Sequence, residues 1–420
     1  MTSNAKHASQ VRNSQVRNSQ ARNSQAAKRV CVAIGTRPEA IKMAPVVHAL
    51  ARQADIEPVL LTTGQHREQL HTMLQVFGLA PDVDLAVMRP EQQLADLFGR
   101  MVPAVAHYLR ELRPDYLLVH GDTLTTLAVT VAGFFEEIPV AHVEAGLRTF
   151  NLKEPFPEEA SRRMCDAITD LDLPPTNWAR DNLLREGKAP AHMVVTGNTV
   201  VDAVQYASQH ANQHASQHAS EHASQHALSH LPQGLRLTVT MHRRENLPVL
   251  AKLAEVIATI LREFPQFHAV YPLHLNPKVQ AAVRPVLEPI ANAFLEPPHD
   301  YVTMLSLLKS SQLIITDSGG IQEEGAALGV PVAVLRNVTE RPEGVHAGVL
   351  ELMGNDPEVV LQRLRALLAD PHRLAAMRTI SNPYGDGQAG RRVAQAVAWR
   401  LGLAERPVDW HYAVEQVSYD

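Results

Sequence analysis

Short apolar segments alternate with longer helical stretches along most of the chain, and this alternation limits the fold more than any other feature. The clearest apolar runs are residues 29–34, 116–119, 235–240 and 267–273. Runs of this length without polar alternation are typical of strands buried on both faces of a sheet. Strands separated by helices form right-handed βαβ units and a parallel sheet. Because the pattern restarts after residue 234, the sequence predicts two Rossmann-like, doubly wound α/β domains that face a central cleft.

The predicted domain organisation has five parts. They are a disordered repeat tail at residues 1–27, a first Rossmann-like domain at 28–205, a low-complexity insertion at 206–233, a second Rossmann-like domain at 234–385, and a C-terminal helix and tail at 386–420 that pack back on the first domain.

Two of these parts have a repetitive, polar sequence. The tail repeats the unit VRNSQ and has almost nothing apolar to bury, which is typical of a disordered segment. The insertion places a histidine at every fourth position, at His210, His214, His218, His222, His226 and His230. Two histidines four positions apart lie on the same face of a helix and can bind zinc or nickel. Because the segment is a polar repeat of low complexity, an insertion at a domain boundary is the favoured interpretation.

Charge and cysteine content exclude several classes of protein. The 420 residues carry a formal net charge of -5, which argues against a sequence-independent nucleic-acid binder. Cys31 and Cys165 form neither a disulfide framework nor a metal-binding pair. No apolar run approaches the length of a transmembrane helix, so no membrane partner is expected. A cytoplasmic protein with reduced thiols is the default prediction.

Polar residues follow the predicted strands of the first domain. Arg37, Asp122 and Glu144 each come shortly after an apolar run. Ligands of open α/β sheets bind beyond the carboxyl ends of the strands. These side chains are therefore expected at one edge of the sheet, where they face a ligand.

A glycine turn in the second domain predicts a phosphate site. The segment TDSGGIQEEGAALGVP at 316–331 reads as the end of a strand, a tight turn and a helix. Ser318 and the two glycines that follow leave backbone N–H groups open at a helix start, which suits phosphate. Glu323 and Glu324 in the first turn are candidates for a ribose hydroxyl pair. The alternative is an ordinary βα turn without a ligand.

Several longer motifs occur together in one order. They are IGTRPEAIKMAP (34–45), HGDT (120–123), HVEAGLRT (142–149), PFPEEASRR (155–163), TMHRREN (240–246), LHLNP (273–277), TDSGGIQEE (316–324) and TERPE (339–343). With these motifs the chain from Lys28 to about Arg400 closely resembles the non-hydrolysing UDP-N-acetylglucosamine 2-epimerases. Several motifs in order are far more specific than one glycine loop.

The resemblance implies a GT-B type fold, in which the domain at 234–385 binds UDP, and it implies the reaction that follows. UDP-N-acetylglucosamine and UDP-N-acetylmannosamine are interconverted by elimination of UDP to a 2-acetamidoglucal and re-addition of UDP. The product is expected to supply surface polysaccharide synthesis. Neither a metal nor a dissociable redox cofactor is implied, and a homodimer is the expected assembly.

The resemblance also implies roles for individual residues. The catalytic group comprises Asp122, Glu144, Glu158 and His242, and which carboxylate removes the proton stays open. The substrate-binding group comprises Arg37, Lys42, Ser318, Gly319, Gly320, Glu324 and Arg341, with His299 and Met304 beside the uracil in place of the glutamine and phenylalanine of many relatives. A second, allosteric substrate site is implied near Gln65, Arg67 and His274.

Three other functions remain possible at this point. A hydrolysing epimerase of similar fold would release UDP and free N-acetylmannosamine. A retaining glycosyltransferase of the same architecture would need an acceptor surface, and none is identified in the sequence. A binding module without turnover is disfavoured by the acidic residues that accompany His242.

Overall fold

The structure is a computed structural model that describes residues 27–64, 67–89, 92–210 and 228–412. The predictions made for the N-terminal tail, for most of the histidine repeat and for Gln65 therefore fall outside the described residues.

The first domain is built on a six-stranded parallel sheet in the order β3-β2-β1-β4-β5-β6. The strands are β1 (Lys28–Ile34), β2 (Ile56–Thr62), β3 (Val83–Asp84), β4 (Tyr116–His120), β5 (Val140–Val143) and β6 (Leu171–Leu173). The helices of this part of the chain are α1 (Arg37–Ala51), α2 (Arg67–Val76), α3 (Leu94–Leu112), α4 (Leu124–Phe135), α5 (Glu158–Ile168), α6 (Asn177–Arg185) and α7 (Thr199–His210), with a 3-10 turn at Pro190–His192. Every residue of β4 and β5 is buried, as the apolar runs predicted.

The second domain repeats this arrangement, with strand order β12-β11-β10-β7-β8-β9. Its strands are β7 (Leu235–Thr240), β8 (Phe267–Pro272), β9 (Ala293–Glu296), β10 (Leu313–Thr316), β11 (Val332–Val334) and β12 (Leu350–Leu352). Its helices are α8 (Leu250–Glu263), α9 (Pro277–Leu287), α10 (Tyr301–Lys309), α11 (Gly319–Ala327), α12 (Pro342–Ala347), α13 (Pro357–Leu368) and α14 (Pro371–Thr379), with a 3-10 segment at Arg244–Val249.

Both sheets have the strand order of a Rossmann fold, so the predicted fold class is confirmed. The order reverses between β1 and β4 in the first sheet and between β7 and β10 in the second. At such a reversal the loops on either side diverge and leave a crevice at the carboxyl ends of the strands. The short edge strands β3, β6 and β12 were missed by the sequence analysis, because two or three residues at a sheet edge give no clear pattern.

The last described helix, α15 (Ala389–Arg400), lies against α1 of the first domain. A Cβ atom on Gly390 would come within 2.9 Å of the backbone carbonyl of Pro45, so glycine permits this close contact. Asp202 at the start of α7 accepts the backbone N–H groups of Ala389 and Gly390, at 3.1 and 2.9 Å. The chain thus returns from the second domain to cover the back of α1.

None of the described helices is both long enough and apolar enough to cross a membrane.

Candidate active site

A cavity of about 460 Å³ lies between the two domains, at the carboxyl ends of both sheets. The loops after β1, β4 and β5 form one wall, and the loops after β7 and β10 form the opposite wall. Twelve of the residues singled out from the sequence line this cavity: Arg37, Lys42, Asp122, Glu144, Glu158, His242, Met304, Ser318, Gly319, Gly320, Glu324 and Arg341. The structure therefore brings together residues that are up to about three hundred positions apart in the sequence, and the role of each stays a prediction.

The base-site candidate His299 and two allosteric candidates, Arg67 and His274, are not among the residues that line this cavity. His299 precedes α10 and is not among the residues that line the cavity, although Met304 on the first turns of that helix is. Gln65 lies outside the described residues, and Arg67 begins α2. His274 follows β8, and its ring stacks on His242 with centroids 5.0 Å apart and planes 6° from parallel.

The acidic residues on the first wall differ in what they contact. Buried Arg162 donates two hydrogen bonds to Oδ2 of Asp122, at 2.9 and 2.6 Å, and one to Glu159 at 3.0 Å. Glu158 begins α5 one residue before Glu159. Within the described part of the chain its buried Oε2 has no hydrogen-bond partner. Asp122 is thus fixed by a cation, while Glu158 keeps a free carboxylate oxygen.

Glu144 is held in place by its neighbours. Its φ of 66° lies in the left-handed region, which is uncommon for a residue other than glycine and is typical of functional sites. Its carboxylate is bonded to Lys42 and, at 2.9 Å, to the side-chain amide of Asn198. Burial alone would raise the pKa of Glu144, but the positive charges of Lys42 and neighbouring groups lower it to about 2. Glu144 therefore remains ionised at neutral pH.

His120, at the end of β4, also lines the cavity. Its Nε2 lies 3.8 Å from Oε2 of Glu144 and is buried without a hydrogen-bond partner among the described residues. Burial lowers the pKa of His120 to about 4, and the imidazole is therefore neutral at physiological pH.

The opposite wall presents the start of α11. The side chain of its N-cap, Ser318, makes no capping hydrogen bond, and the space around Gly320 is open. A Cβ atom on Gly319 would lie 2.9 Å from Nη1 of Arg341 and 3.4 Å from Nη2 of Arg243, so glycine allows both guanidinium groups to approach. Free N–H groups, the helix dipole and two arginines together suit a diphosphate.

Asp317 fixes the loop that carries His242. This fully buried carboxylate accepts the backbone N–H of His242 at 3.0 Å, that of Arg243 at 2.9 Å and the side-chain amide of Asn246 at 3.1 Å. It therefore joins the loop after β7 to the loop after β10, the two loops on either side of the strand-order reversal. Burial lowers the pKa of His242, although Asp317 opposes this, and the ring is neutral at pH 7.

Glu324 lies at the end of the cavity that also holds Arg37 and Tyr301. Burial raises the pKa of Glu324 to about 7, because the opposing positive charge of Arg37 compensates only part of the lost solvation. A carboxyl group of this kind gains from a ligand that donates hydrogen bonds to it, such as a pair of ribose hydroxyls.

Sequence reasoning missed several residues of the site. They are Glu39, His120, Arg162, Asp317, Tyr301 and Glu340. Arg162 and Glu340 lie inside the motifs PFPEEASRR and TERPE, so these motifs could have been used to predict both residues at the cavity. Glu39 accepts the N–H groups of Gly35 and Thr36, at 3.0 and 2.7 Å, and the hydroxyl of Thr123 at 2.8 Å, which joins the loops after β1 and β4.

One buried cluster behind the cavity has the composition of a metal site. Ligand atoms of His142, Asp166 and Asp172 lie within 4.8 Å of one another. Arg148 already pairs with Asp166 at 2.6 Å, and Lys188 pairs with Asp172 at 2.8 Å. Because protein cations already balance these carboxylates, the cluster is assigned a structural role: His142 reaches the carbonyl of Gly121 at 2.6 Å and supports the loop of Asp122.

Two Rossmann-like domains enclose one cavity, with a helix N-terminus and arginines on one wall and a group of carboxylates on the other, and they define a protein of the GT-B fold class. The family model described as UDP-N-acetylglucosamine 2-epimerase matches residues 48–398. The chain belongs to this family.

Relatives and solved structures agree with this assignment. The chain is 42% identical over 370 residues to the UDP-N-acetylglucosamine 2-epimerase of Escherichia coli K12, and the match covers 88% of this chain and 98% of the relative. It is 40% identical over 382 residues to the Bacillus subtilis enzyme of the same name, and the match covers 91% of this chain and 98% of the relative. The structure of the Neisseria meningitidis UDP-GlcNAc 2-epimerase bound to UDP-GlcNAc has a TM-score of 0.82 at 37% identity, covering 88% of this chain and 99% of that one.

Proposed function

We propose that this protein interconverts UDP-N-acetylglucosamine and UDP-N-acetylmannosamine without net hydrolysis. The observation that carries the proposal is that one cavity has a helix N-terminus suited to an anion, at Ser318–Gly320, on one wall and several carboxylates on the facing wall. A nucleotide sugar has the same division, with a diphosphate at one end and a sugar at the other. Family membership and the substrate named for the Neisseria structure support this choice.

The chemistry begins with elimination. A carboxylate removes the proton from C2 of the sugar, the C2–H electron pair forms a C1–C2 double bond, and the C1–O bond breaks with its electron pair leaving on UDP. The product pair is UDP and 2-acetamidoglucal. In the return step a proton is delivered to the opposite face of C2 and a UDP oxygen re-forms the bond to C1. No net redox change occurs, so the reaction balances without a redox cofactor.

The contacts of each carboxylate indicate whether it transfers a proton or stabilises charge on the sugar ring. Glu158 has a free oxygen, and both hydrogen bonds from Arg162 to Asp122 end on the same oxygen, Oδ2. We assign proton transfer on the two faces of C2 to these residues, since each retains an oxygen for the substrate. Glu144, ionised and fixed by Lys42, stabilises positive charge that develops on the ring.

The second wall binds the leaving group. The N–H groups at the start of α11 receive the diphosphate. Its charge is neutralised as the C1–O bond breaks by four cations, Arg37, Lys42, Arg243 and Arg341. His242 donates to the same group. Glu324 accepts the ribose hydroxyls, and Met304 provides an apolar wall towards the base.

A product assay tests this function against its alternatives. Incubation with UDP-N-acetylglucosamine alone should give an equilibrium mixture with UDP-N-acetylmannosamine, measured by NMR. Stoichiometric free UDP and N-acetylmannosamine would instead indicate a hydrolysing epimerase. Unchanged substrate that becomes a donor only when an acceptor sugar is added would indicate a glycosyltransferase.

The remaining features are also proposals. We propose that the enzyme acts in the cytoplasm as a homodimer and that its product supplies surface polysaccharide synthesis, as the family resemblance implies. Light scattering at micromolar concentration tests the assembly, because a monomer mass would contradict it.

A further inference from the structure

A buried cluster of charged groups joins the two domains beside the cavity, and one of its members has no role in the function proposed above. The cluster consists of Lys42, Glu144, Asn198, Glu323 and Arg341. None of the five side chains belongs to a residue more than 8% exposed. Lys42 and Glu144 come from the first domain, Glu323 and Arg341 from the second, and Asn198 from the segment that leads into α7.

Glu323 has a central place in this cluster. Its Oε2 lies 2.7 Å from Nζ of Lys42, and its Oε1 accepts the Nε–H of Arg341 at 2.5 Å. The amide of Asn198 donates to Oε1 of Glu323 at 3.2 Å as well as to Glu144. Glu323 is therefore the one carboxylate of the cluster that touches the cations of both domains.

Consecutive residues on α11 point to different surroundings. Glu324 lines the cavity, whereas Glu323 is 1% exposed and does not line it. Successive side chains on a helix are about 100° apart, so only one of the two can face the ligand. The expectation that both glutamates bind the ribose is replaced by a division: Glu324 faces the ligand and Glu323 faces the cations.

The cations that Glu323 holds are those expected at the diphosphate. Lys42 and Arg341 both line the cavity, so their positive charges act at its surface while their other sides are held by carboxylates. Burial alone would lower the pKa of Lys42, but Glu144 and Glu323 raise it, and its charge is retained. The contact of Lys42 with Glu323 is an ion pair without hydrogen-bond alignment, since Oε2 has no hydrogen-bond partner among the described residues.

From these contacts we propose that Glu323 is a positioning residue that fixes Lys42 and Arg341 across the domain boundary for departure of the diphosphate. This inference rests on the proposed function. Glu323 keeps the two cations at a set distance from the breaking C1–O bond and also competes with the diphosphate for them. It therefore favours turnover at the expense of affinity for UDP.

Because Glu323 both positions the cations and competes with the diphosphate for them, its removal should lower kcat and tighten UDP binding. A purely structural role would not produce this combination. Glu323→Gln keeps the size of the side chain but removes its charge, which leaves Lys42 paired with Glu144 and Arg341 paired with Glu340, without the carboxylate that contacts both cations. We expect kcat to fall by about 30-fold, because the cations lose their set positions. UDP should bind about threefold or more tightly to the same variant, because less negative charge opposes it.

The experiment measures kcat by the product assay and the Kd for UDP by calorimetry for the same preparations. Glu255→Gln on the exposed face of α8 is the matched control and should match the parent in both values. Glu323→Asp restores the charge on a shorter side chain, and we expect parental UDP affinity with about a fivefold loss of kcat. This variant also decides the question if Glu323→Gln does not fold, as judged by circular dichroism.

The outcomes separate this inference from the proposed function. Weaker UDP binding together with lower kcat in folded Glu323→Gln, or parental values in both variants, would overturn the positioning role. If the parent binds UDP but produces no UDP-N-acetylmannosamine, the proposed function fails, while the UDP affinities still test whether Glu323 competes for the cations.

Discussion

Replacing Glu324 with glutamine should stabilise the protein at alkaline pH while it weakens binding of UDP. Burial raises the pKa of this carboxyl group from 4.5 to about 7. One pKa unit corresponds to about 1.4 kcal/mol, so the folded state loses up to about 3 kcal/mol, relative to an uncharged residue, between pH 4.5 and pH 8. Glu324 is partly exposed, and solvent screening reduces the cost of its charge, so about 3 kcal/mol is the upper value.

Whether stability rises or falls with pH follows from which state, folded or unfolded, keeps the proton on Glu324. Between pH 4.5 and 7 the folded protein keeps a proton on Glu324 that the unfolded chain has released, and stability therefore falls as the pH rises through this window. Glutamine has no such proton. The difference in unfolding free energy between Glu324→Gln and the parent should be near zero at pH 4.5 and reach about 2 to 3 kcal/mol in favour of the variant at pH 8.

Urea unfolding at pH 4.5, 6 and 8, followed by circular dichroism, measures this difference, because the other titrating groups are common to both proteins and cancel. Calorimetry with UDP at pH 8 should show at least tenfold weaker binding to the variant, since a neutral amide accepts ribose hydroxyls less strongly than a carboxylate. A difference in stability that is independent of pH, or a variant less stable than the parent at pH 8, would refute the assignment of the buried charge.

Further perturbations test other parts of the site. Asp317→Asn should lower the unfolding free energy, measured in urea, by about 3 kcal/mol, because one carboxylate oxygen, Oδ2, accepts three hydrogen bonds and the oxygen of a neutral amide accepts them less strongly; a change below about 0.5 kcal/mol would contradict this. Glu158→Gln should reduce kcat at least 100-fold and leave the Kd for UDP within about threefold, if it transfers a proton at the sugar; an equal loss of UDP affinity would point to a folding defect. Epimerisation in heavy water should place one deuterium at C2, detected by mass spectrometry, and retention of the original hydrogen would exclude the elimination. Deletion of residues 211–227 should change kcat less than about twofold, because a polar, low-complexity sequence has little apolar material for a core and added chain length costs little free energy, whereas an inactive folded deletion would show that the repeat is required.

The sequence predicted those features that depend on local order along the chain. Strands without polar alternation revealed both sheets, and the residues that follow them, such as Asp122 and Ser318, lie at the cavity because parallel strands end at a common edge. These inferences need only the direction of each strand and the position of a residue after it.

The features that the sequence did not predict depend on distances through space. Arg162 pairs with Asp122 across two elements that are forty positions apart, and nothing in either segment specifies the partner. The division between Glu323 and Glu324 is set by the rotation of α11 about its axis, which packing against β10 and β11 decides. The role of His299 beside the base stays a prediction, because the turn before α10, which the sequence does not specify, determines which side chains reach the cavity.

The return of α15 to the first domain has a consequence for synthesis of the chain. Val393 and Val397 of α15 share a core with α1, the helix that carries Arg37 and Lys42. A ribosome releases this helix only after the entire second domain has emerged. The first domain therefore waits with one apolar face of α1 uncovered while its neighbour folds. In genetic terms the second domain is an insertion within the first, and no single cut in the gene yields both domains with complete cores.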